Sequence, residues 1–256
     1  MRSPVAERWS KLAGVVVVGL GLTVLIAGPS YAANNAEIYV VQGLPGAAID
    51  VSVDGHSVAK RVTTAQVVGP FTVGAGTRTV TFMKNGAVVL KSAVTVAATS
   101  STDVVVHLPA QASGHPIVTT FKNDLSAVPR DKASLVVAHT AAVPPADIRV
   151  NNQVLFANVA NGESLKLVVP AATYKVAIVP TGETGPALLG PLDLTVKGGS
   201  LNRVYAVGDP VNKTMNVAVH VIAVVTAGSA KPQKVNTGTG GQAVALQPAV
   251  FADLLH

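Results

Sequence analysis

Two aspartates at matching places in the chain are the residues whose type and spacing best fit ligand binding. Asp50 and Asp147 each follow a Pro/Ala-rich loop and begin a short hydrophobic segment. A carboxylate repeated in this way could hold a cation or a polar ligand in each half of the chain. It could instead accept backbone N–H groups and pin its loop, as Asx residues do in turns. Together with His139, which precedes the second loop, Asp50 and Asp147 are the candidate ligand-binding residues.

The residues that catalysis needs do not occur in a catalytic pattern. The absence of Cys from all 256 residues excludes thiol nucleophiles, disulfides and cysteine-ligated metals. The nucleophile motif Gly-x-Ser-x-Gly is absent, and none of the six His residues has a second His or a carboxylate at a metal-ligand spacing. We therefore predict that the protein is not an enzyme and has no catalytic residue, no metal site and no cofactor.

Charge and composition exclude two further classes of protein. Only 12% of the residues are charged, against about 25% in an average soluble domain, while 49% are hydrophobic. Such a chain is not a polyelectrolyte disordered protein. The net charge is +6, but residues 36–124 and residues 133–224 each carry six basic and five acidic side chains. Because no basic face is concentrated in either half, we expect no nucleic-acid partner.

The N-terminal segment has the pattern of a secretory signal peptide. Basic residues up to Lys11 precede an uncharged apolar run from Leu12 to Ile26, which is shorter than the roughly 20 residues that span a membrane. Ser30 and Ala32 are small residues at the −3 and −1 positions of a cleavage site. We predict cleavage between Ala32 and Ala33, a secreted or extracellular location that includes association with the envelope, and no transmembrane segment afterwards. An uncleaved N-terminal anchor is the alternative.

The rest of the chain contains an internal repeat. The segment from Ile38 to Gly55 aligns with the segment from Leu135 to Asn152 at a constant offset of 97, which places Asp50 opposite Asp147. A later segment, 73–82, aligns with 169–178 at an offset of 96. The predicted organisation is a signal peptide (1–32), a first domain (36–124), a linker containing Pro129 (125–132), a second domain (133–224) and a flexible tail (225–256).

Both repeats are predicted to be all-β. Their apolar residues alternate with a period of two in short, β-branched segments separated by turn signals such as Asp54-Gly55 and Asn85-Gly86. About eight short antiparallel strands in each repeat describe an immunoglobulin-like or transthyretin-like β-sandwich. In the segment 77–84, Val80 and Phe82 are expected to face the core.

The repeated element resembles a bacterial secreted family called domain of unknown function 4397. The first copy keeps the family pattern over 49–55 and 74–77, and the second keeps it at His139, over 145–148 and over 170–174. The first copy has Gln42 in place of the family's His, and the second has Asn152 in place of the turn Gly. The resemblance implies extracellular β-sandwiches in tandem, and the family supplies no catalytic residues.

Two functions follow from these observations. The first is a secreted, non-enzymatic structural or interaction module of the bacterial cell envelope or extracellular space, which presents loops or strand edges to a protein or envelope partner. The alternative is a protein that binds a small ligand or an envelope polymer through the repeated Asp-bearing loops. A concave pocket around Asp50 and Asp147 would favour the alternative, whereas an open edge strand would favour a protein partner.

Overall fold

The structure is a computed structural model that describes residues 34–227, and this part of the chain contains strands and no helix. The predicted all-β class is therefore confirmed. The predicted signal peptide, its cleavage site at Ala32 and Ala33, and most of the predicted tail lie outside the described residues.

Eight strands form each half of the chain, as the period-two pattern predicts. The first half contains β1 (Asn35–Gln42), β2 (Ile49–Val53), β3 (His56–Val62), β4 (Val67–Gly74), β5 (Gly76–Lys84), β6 (Ala87–Val96), β7 (Ser101–His107) and β8 (Ile117–Lys122). After the short β9 (Val128–Pro129), the second half contains β10 (Lys132–His139), β11 (Ala146–Val150), β12 (Gln153–Val159), β13 (Ser164–Pro170), β14 (Thr173–Pro180), β15 (Leu189–Thr195), β16 (Ser200–Val207) and β17 (Asn216–Ala223). The last strand is β18 (Thr226–Ala227).

Each half is a sandwich of two four-stranded sheets with the same strand order. In the first half the outer sheet is β3-β2-β5-β6 and the inner sheet is β4-β1-β7-β8. In the second half the outer sheet is β12-β11-β14-β15 and the inner sheet is β13-β10-β16-β17. The two orders coincide strand for strand, so the sequence repeat is a repeat of topology as well.

One predicted feature of the sheets is wrong. The strands were expected to be antiparallel throughout, but β1 pairs in parallel with β7, from Glu37 opposite Ser101 to Gln42 opposite Val106. The equivalent β10 and β16 are also parallel. A parallel pair needs a long connection, and here the whole outer sheet lies between the two paired strands in sequence.

Apolar side chains from both sheets fill each sandwich. In the first, Val80 and Phe82 of β5 are fully buried, as predicted, against Ile38 of β1 and Val104 of β7. In the second, Leu135, Ile148 and Leu194 belong to the corresponding core. Each half therefore has its own apolar interior.

The two inner sheets also pack against each other through their second faces. A shared cluster of buried apolar side chains joins them, and its members are Val41, Val105, Phe121, Ala138, Tyr205, Val207 and Ala218. Every residue of β7 and of β16 is buried, because these central strands are covered on both faces. The four sheets thus form a stack in which the two sandwiches share a buried interface.

Short strands in the predicted linker and tail connect the ends of the second sandwich. β9 lies within 125–132 and pairs in parallel with β18, with Val128 opposite Thr226. The two segments that flank the second sandwich, β9 before it and β18 after it, are therefore hydrogen-bonded to each other. This pairing places residue 227, where the described chain ends, beside the connection between the two sandwiches.

Candidate functional site

Asp50 and Asp147 occupy equivalent positions on β2 and β11, and both accept backbone hydrogen bonds. Oδ1 of Asp50 accepts the N–H of Arg61 at 2.8 Å. Oδ1 of Asp147 accepts the N–H of Asn158 at 2.8 Å, and its Oδ2 accepts the N–H of Gly182 at 3.0 Å. The repeated carboxylate therefore performs the same backbone contact in both halves.

The reason for this contact is an irregularity in the neighbouring strand. The pairing of β2 with β3 and of β11 with β12 shifts register, which is the signature of a β-bulge. Arg61 and Asn158, the donors, have positive φ angles of 54° and 56° at these bulges. A bulge leaves an N–H outside the regular ladder, and the carboxylate accepts it. The prediction that the donors lie in the Pro/Ala loop is wrong, since Arg61 and Asn158 lie on the adjacent strand and Gly182 lies in the loop after β14.

Asp147 is the more tightly held of the two carboxylates. It is only 4% exposed. Burial would raise its pKa, but the N–H groups of Asn158 and Gly182 stabilise the charged form and hold the pKa below the ordinary value. Both oxygens are therefore occupied by the protein itself.

We expect Asp147→Ala to lower the free energy of unfolding by about 1–3 kcal/mol, because two backbone N–H groups lose their acceptor. Asp50→Ala should have a smaller effect, since Asp50 is half-buried and accepts one such bond. Melting curves of both variants measure this, with the exposed Asp193→Ala as the control. An unchanged melting temperature for Asp147→Ala would favour a ligand-binding role instead.

His139 holds the loop that follows β10. Its Nε2 lies 3.3 Å from the carbonyl oxygen of Pro144, and the residue is 3% exposed. Burial lowers the pKa of His139, which keeps the ring neutral and makes Nε2 the donor in this contact. The Nδ1 atom is buried and has no partner among residues 34–227.

Gln42 holds the loop that follows β1 in the first sandwich. Its Nε2 donates to the carbonyl oxygens of Leu44 and Ala47, and its Oε1 accepts the N–H of Leu44 at 2.7 Å. Gln42 and His139 therefore hold the equivalent loops of the two sandwiches with different side chains. His139 and Asp147 have separate hydrogen-bond partners, so the described contacts do not join them into one site.

A buried polar cluster, which sequence reasoning did not identify, lies between the two inner sheets. Asp103 of β7 is completely buried. Its Oδ2 accepts the hydroxyl of Tyr205 at 2.5 Å and lies 2.9 Å from Nδ1 of His220. Its Oδ1 accepts Nδ2 of Asn123 at 2.7 Å. Two donors from the second sandwich and one from the first therefore converge on a single carboxylate.

Arg203 extends this cluster along the interface. It is 5% exposed, its Nη2 donates to the carbonyl oxygen of Lys122, and its guanidinium lies 5.7 Å from the centre of the Phe121 ring. Nε and Nη1 are buried without a protein partner among residues 34–227. Buried water is the usual partner for such atoms. Lys122 and Phe121 belong to the first sandwich, so Arg203 adds a further contact across the interface.

Aromatic contacts close this cluster. The ring of His220 lies 4.2 Å from the ring of Tyr39, centre to centre. Burial and the nearby Asp103 carboxylate raise the pKa of Tyr205 well above its ordinary value, which keeps its hydroxyl a donor. An Asp–His pair activates a nucleophile when a Ser or Cys lies beside the imidazole, but here the ring is packed against Tyr39. The cluster fixes the two sandwiches together.

One edge strand differs from the other edges of the four-stranded sheets. Seven of these edges carry a charged residue, a Pro or a bulge, features that protect an edge from pairing with another chain. The protecting features are Arg61 in β3, Pro70 in β4, Lys91 in β6, Lys122 in β8, the bulges of β12, Lys166 in β13 and Asp193 in β15. The eighth edge, β17, has eight residues with no Asp, Glu, Lys, Arg or Pro, and it pairs with β16 without a shift of register.

The side chains of β17 alternate between the interface and solvent. Ala218 and His220 are buried against the first sandwich, while Val219 and Val221 are 41% and 42% exposed. The strand is therefore anchored on one face and presents valines on the other. A regular, uncharged edge of this length is suited to pairing with an extended strand of a partner.

Residues 34–227 contain no group of three or more His, Cys, Asp or Glu side chains placed to hold a metal ion. Within the same range, no helix has the length and apolarity required to cross a membrane.

The model of one protein family matches the chain. The family is described as Domain of unknown function (DUF4397), and the match covers residues 36–146. This range contains the first sandwich, the connection and the strand β10. The match supports the family resemblance of the first repeat. A search of the curated proteins found no match.

Proposed function

We propose that the protein is a secreted, non-enzymatic interaction module of the bacterial cell envelope or extracellular space, built from two tandem copies of the matched domain. The identical strand order of the two halves and the 97-residue offset between Asp50 and Asp147 support the second copy. The signal-peptide pattern before Ala33 supports secretion.

The observation that carries the interaction function is the edge of β17, whose outer side pairs with no strand among residues 34–227. A free edge presents a row of backbone N–H and C=O groups, and an extended segment of a partner protein can pair with them. The exposed Val219 and Val221 would supply side-chain contacts beside this ladder. The buried cluster around Asp103 holds β17 against the first sandwich, so the edge is preorganised for binding.

Binding of a small ligand or envelope polymer through the Asp-bearing loops is less well supported. Asp50 accepts the N–H of Arg61, and both oxygens of Asp147 accept N–H groups of the chain. A ligand would have to displace these contacts and leave the backbone donors without their present acceptor. The open edge requires no such exchange.

Site-specific photocrosslinking can test the proposed edge. We expect a photoreactive residue at position 219 to form a defined protein adduct in the native envelope or secreted fraction, because a paired strand lies within reach of this side chain. The matched control is position 88, where Val88 is 62% exposed on the first sandwich. Val221→Pro, which adds a ring and distorts the edge, should abolish the adduct at 219. Equal crosslinking at both positions would contradict the proposal.

A further inference from the structure

The interior of the second sandwich contains an apolar cavity of about 80 Å³. Its wall is formed by aliphatic side chains of both sheets, among them Leu135, Val137, Leu167 and Leu194. Asn151 and Gln153, the polar lining residues, are exposed, as is Pro170. The cavity therefore opens between the β11–β12 turn and the end of β13, with amide groups at its mouth.

The first sandwich carries a larger side chain at one of the positions that line this cavity. Ile38 pairs with Phe71 across β1 and β4, and the equivalent pair across β10 and β13 is Leu135 with Leu167. A phenyl ring in the first core is therefore replaced by a smaller aliphatic side chain in the second. Phe82 is likewise replaced by Ile178 at the 96-residue offset.

Side-chain exposure agrees with this difference. Ile38 and Val40 are 0% exposed, whereas their counterparts Leu135 and Val137 are each 5% exposed. These small accessible areas lie on residues that line the cavity. At these two positions the second core is therefore less completely filled than the first.

The mouth also differs between the copies. In the first sandwich the guanidinium of Arg78 lies 3.2 Å from the Asp54 carboxylate and caps this end of the core. The equivalent residues in the second sandwich are Tyr174 and Asn151, and the Tyr174 hydroxyl donates to the carbonyl oxygen of Pro170. The second copy therefore has an aromatic wall where the first has a charged cap.

We propose that this cavity binds the terminal carbons of an unbranched alkyl chain. A dry apolar cavity of about 150 Å³ accepts benzene, so on the same scale a cavity of this size accepts about three carbon atoms. The aliphatic lining favours hydrocarbon over any polar group, and the Asn151 and Gln153 amides can bind a polar group where the chain emerges. This site is independent of the β17 edge.

The first test compares two isomeric alcohols on the full unmodified chain by methyl NMR. We expect 1-pentanol to shift the methyl resonances of Leu135, Val137 and Leu167 saturably, because its straight chain enters the cavity. The branched isomer 2-methyl-2-butanol, with the same atoms and a wider end, should leave them unshifted. Failure of 1-pentanol to produce saturable shifts, or equal shifts with both alcohols, would overturn the proposal.

The second test fills the cavity with the side chain that the first sandwich uses. Leu167→Phe should weaken 1-pentanol binding at least tenfold and raise the melting temperature. The matched control is Val154→Phe, which adds a ring at a 46% exposed position outside the cavity lining and should leave binding unchanged. Unaltered affinity in Leu167→Phe would overturn the proposal, and if that variant does not fold, the isomer comparison still decides.

Sedimentation with phosphatidylglycerol vesicles distinguishes two sources of the alkyl chain. Co-sedimentation that Leu167→Phe abolishes would assign the occupant to a lipid acyl tail. Binding of 1-pentanol without co-sedimentation would assign it to a free amphiphile.

Discussion

Replacing Asp103 by Ala is expected to lower the free energy of unfolding by about 3–5 kcal/mol, the largest effect that we expect from one substitution. The hydroxyl of Tyr205, Nδ1 of His220 and the amide of Asn123 all contact this carboxylate, and its removal leaves them buried without their acceptor. Urea unfolding at pH 7 measures the loss. Because both sandwiches contribute to the cluster, wild-type protein should unfold in a single transition.

Asp193→Ala is the matched control for this prediction. Asp193 is also a carboxylate in an ion pair, 2.9 Å from Nζ of Lys175, but its side chain is 61% exposed. Solvent screens such a pair, so its loss should change the free energy of unfolding by less than about 0.5 kcal/mol. A loss below about 1 kcal/mol for Asp103→Ala would show that the cluster does not hold the sandwiches together.

Acidification from pH 6.5 to pH 4 is expected to remove about 3 kcal/mol of stability through His107 alone, since one pKa unit corresponds to about 1.4 kcal/mol. Burial lowers the pKa of His107 to about 4, against the ordinary value of 6.5. Below pH 6.5 the unfolded chain therefore binds a proton that the folded chain does not. The stability is full above pH 6.5 and is lost progressively as the pH falls toward 4.

Free energies of unfolding measured between pH 6.5 and pH 4 test whether His107 causes this loss of stability. Nδ1 of His107 donates to the carbonyl oxygen of Leu108, and Nε2 accepts the Thr119 hydroxyl, so His107→Gln retains a neutral group able to donate and accept. The variant should lose most of the pH dependence of the free energy of unfolding. The part that remains comes from His139, because burial also lowers its pKa. His56→Gln, at an exposed position, should keep the full dependence. An unchanged slope in His107→Gln would contradict the prediction.

Local structure could be predicted from the sequence because its causes are local. About eight short strands are predicted in each repeat and eight are found, and the segment 77–84 lies within β5. Alternating β-branched residues set these strands, and the turns between them need positive φ, which Asp54 and Gly55 adopt at 48° and 84°. No distant contact is needed to decide such features.

Pairing between distant strands could not be predicted in the same way. β1 and β7 are separated by the whole outer sheet, and nothing in their side-chain patterns distinguishes a parallel from an antiparallel neighbour. Both strands have runs of buried Val, which fits a strand covered on two faces. The consecutive Val residues were therefore the sequence signal that these strands are covered on both faces.

The polar cluster escaped prediction for a related reason. Asp103 is 102 residues from Tyr205 and 117 residues from His220, so no short motif contains them. The local sign was a charged residue directly before three consecutive Val residues in β7. Asp147, by contrast, was found because the repeat duplicates it. Its hydrogen-bond donors, Asn158 at a bulge of β12 and Gly182 after β14, are distant in sequence and were not predicted.

The pairing of β9 with β18 has a consequence for chain topology. β9 immediately precedes the second sandwich and β18 immediately follows it, and paired strands lie about 4.8 Å apart. The points at which the chain enters and leaves the second sandwich are therefore adjacent. A unit with adjoining ends can be inserted, permuted or duplicated without moving the structures that flank it, which is the geometry that lengthening an array by whole copies requires.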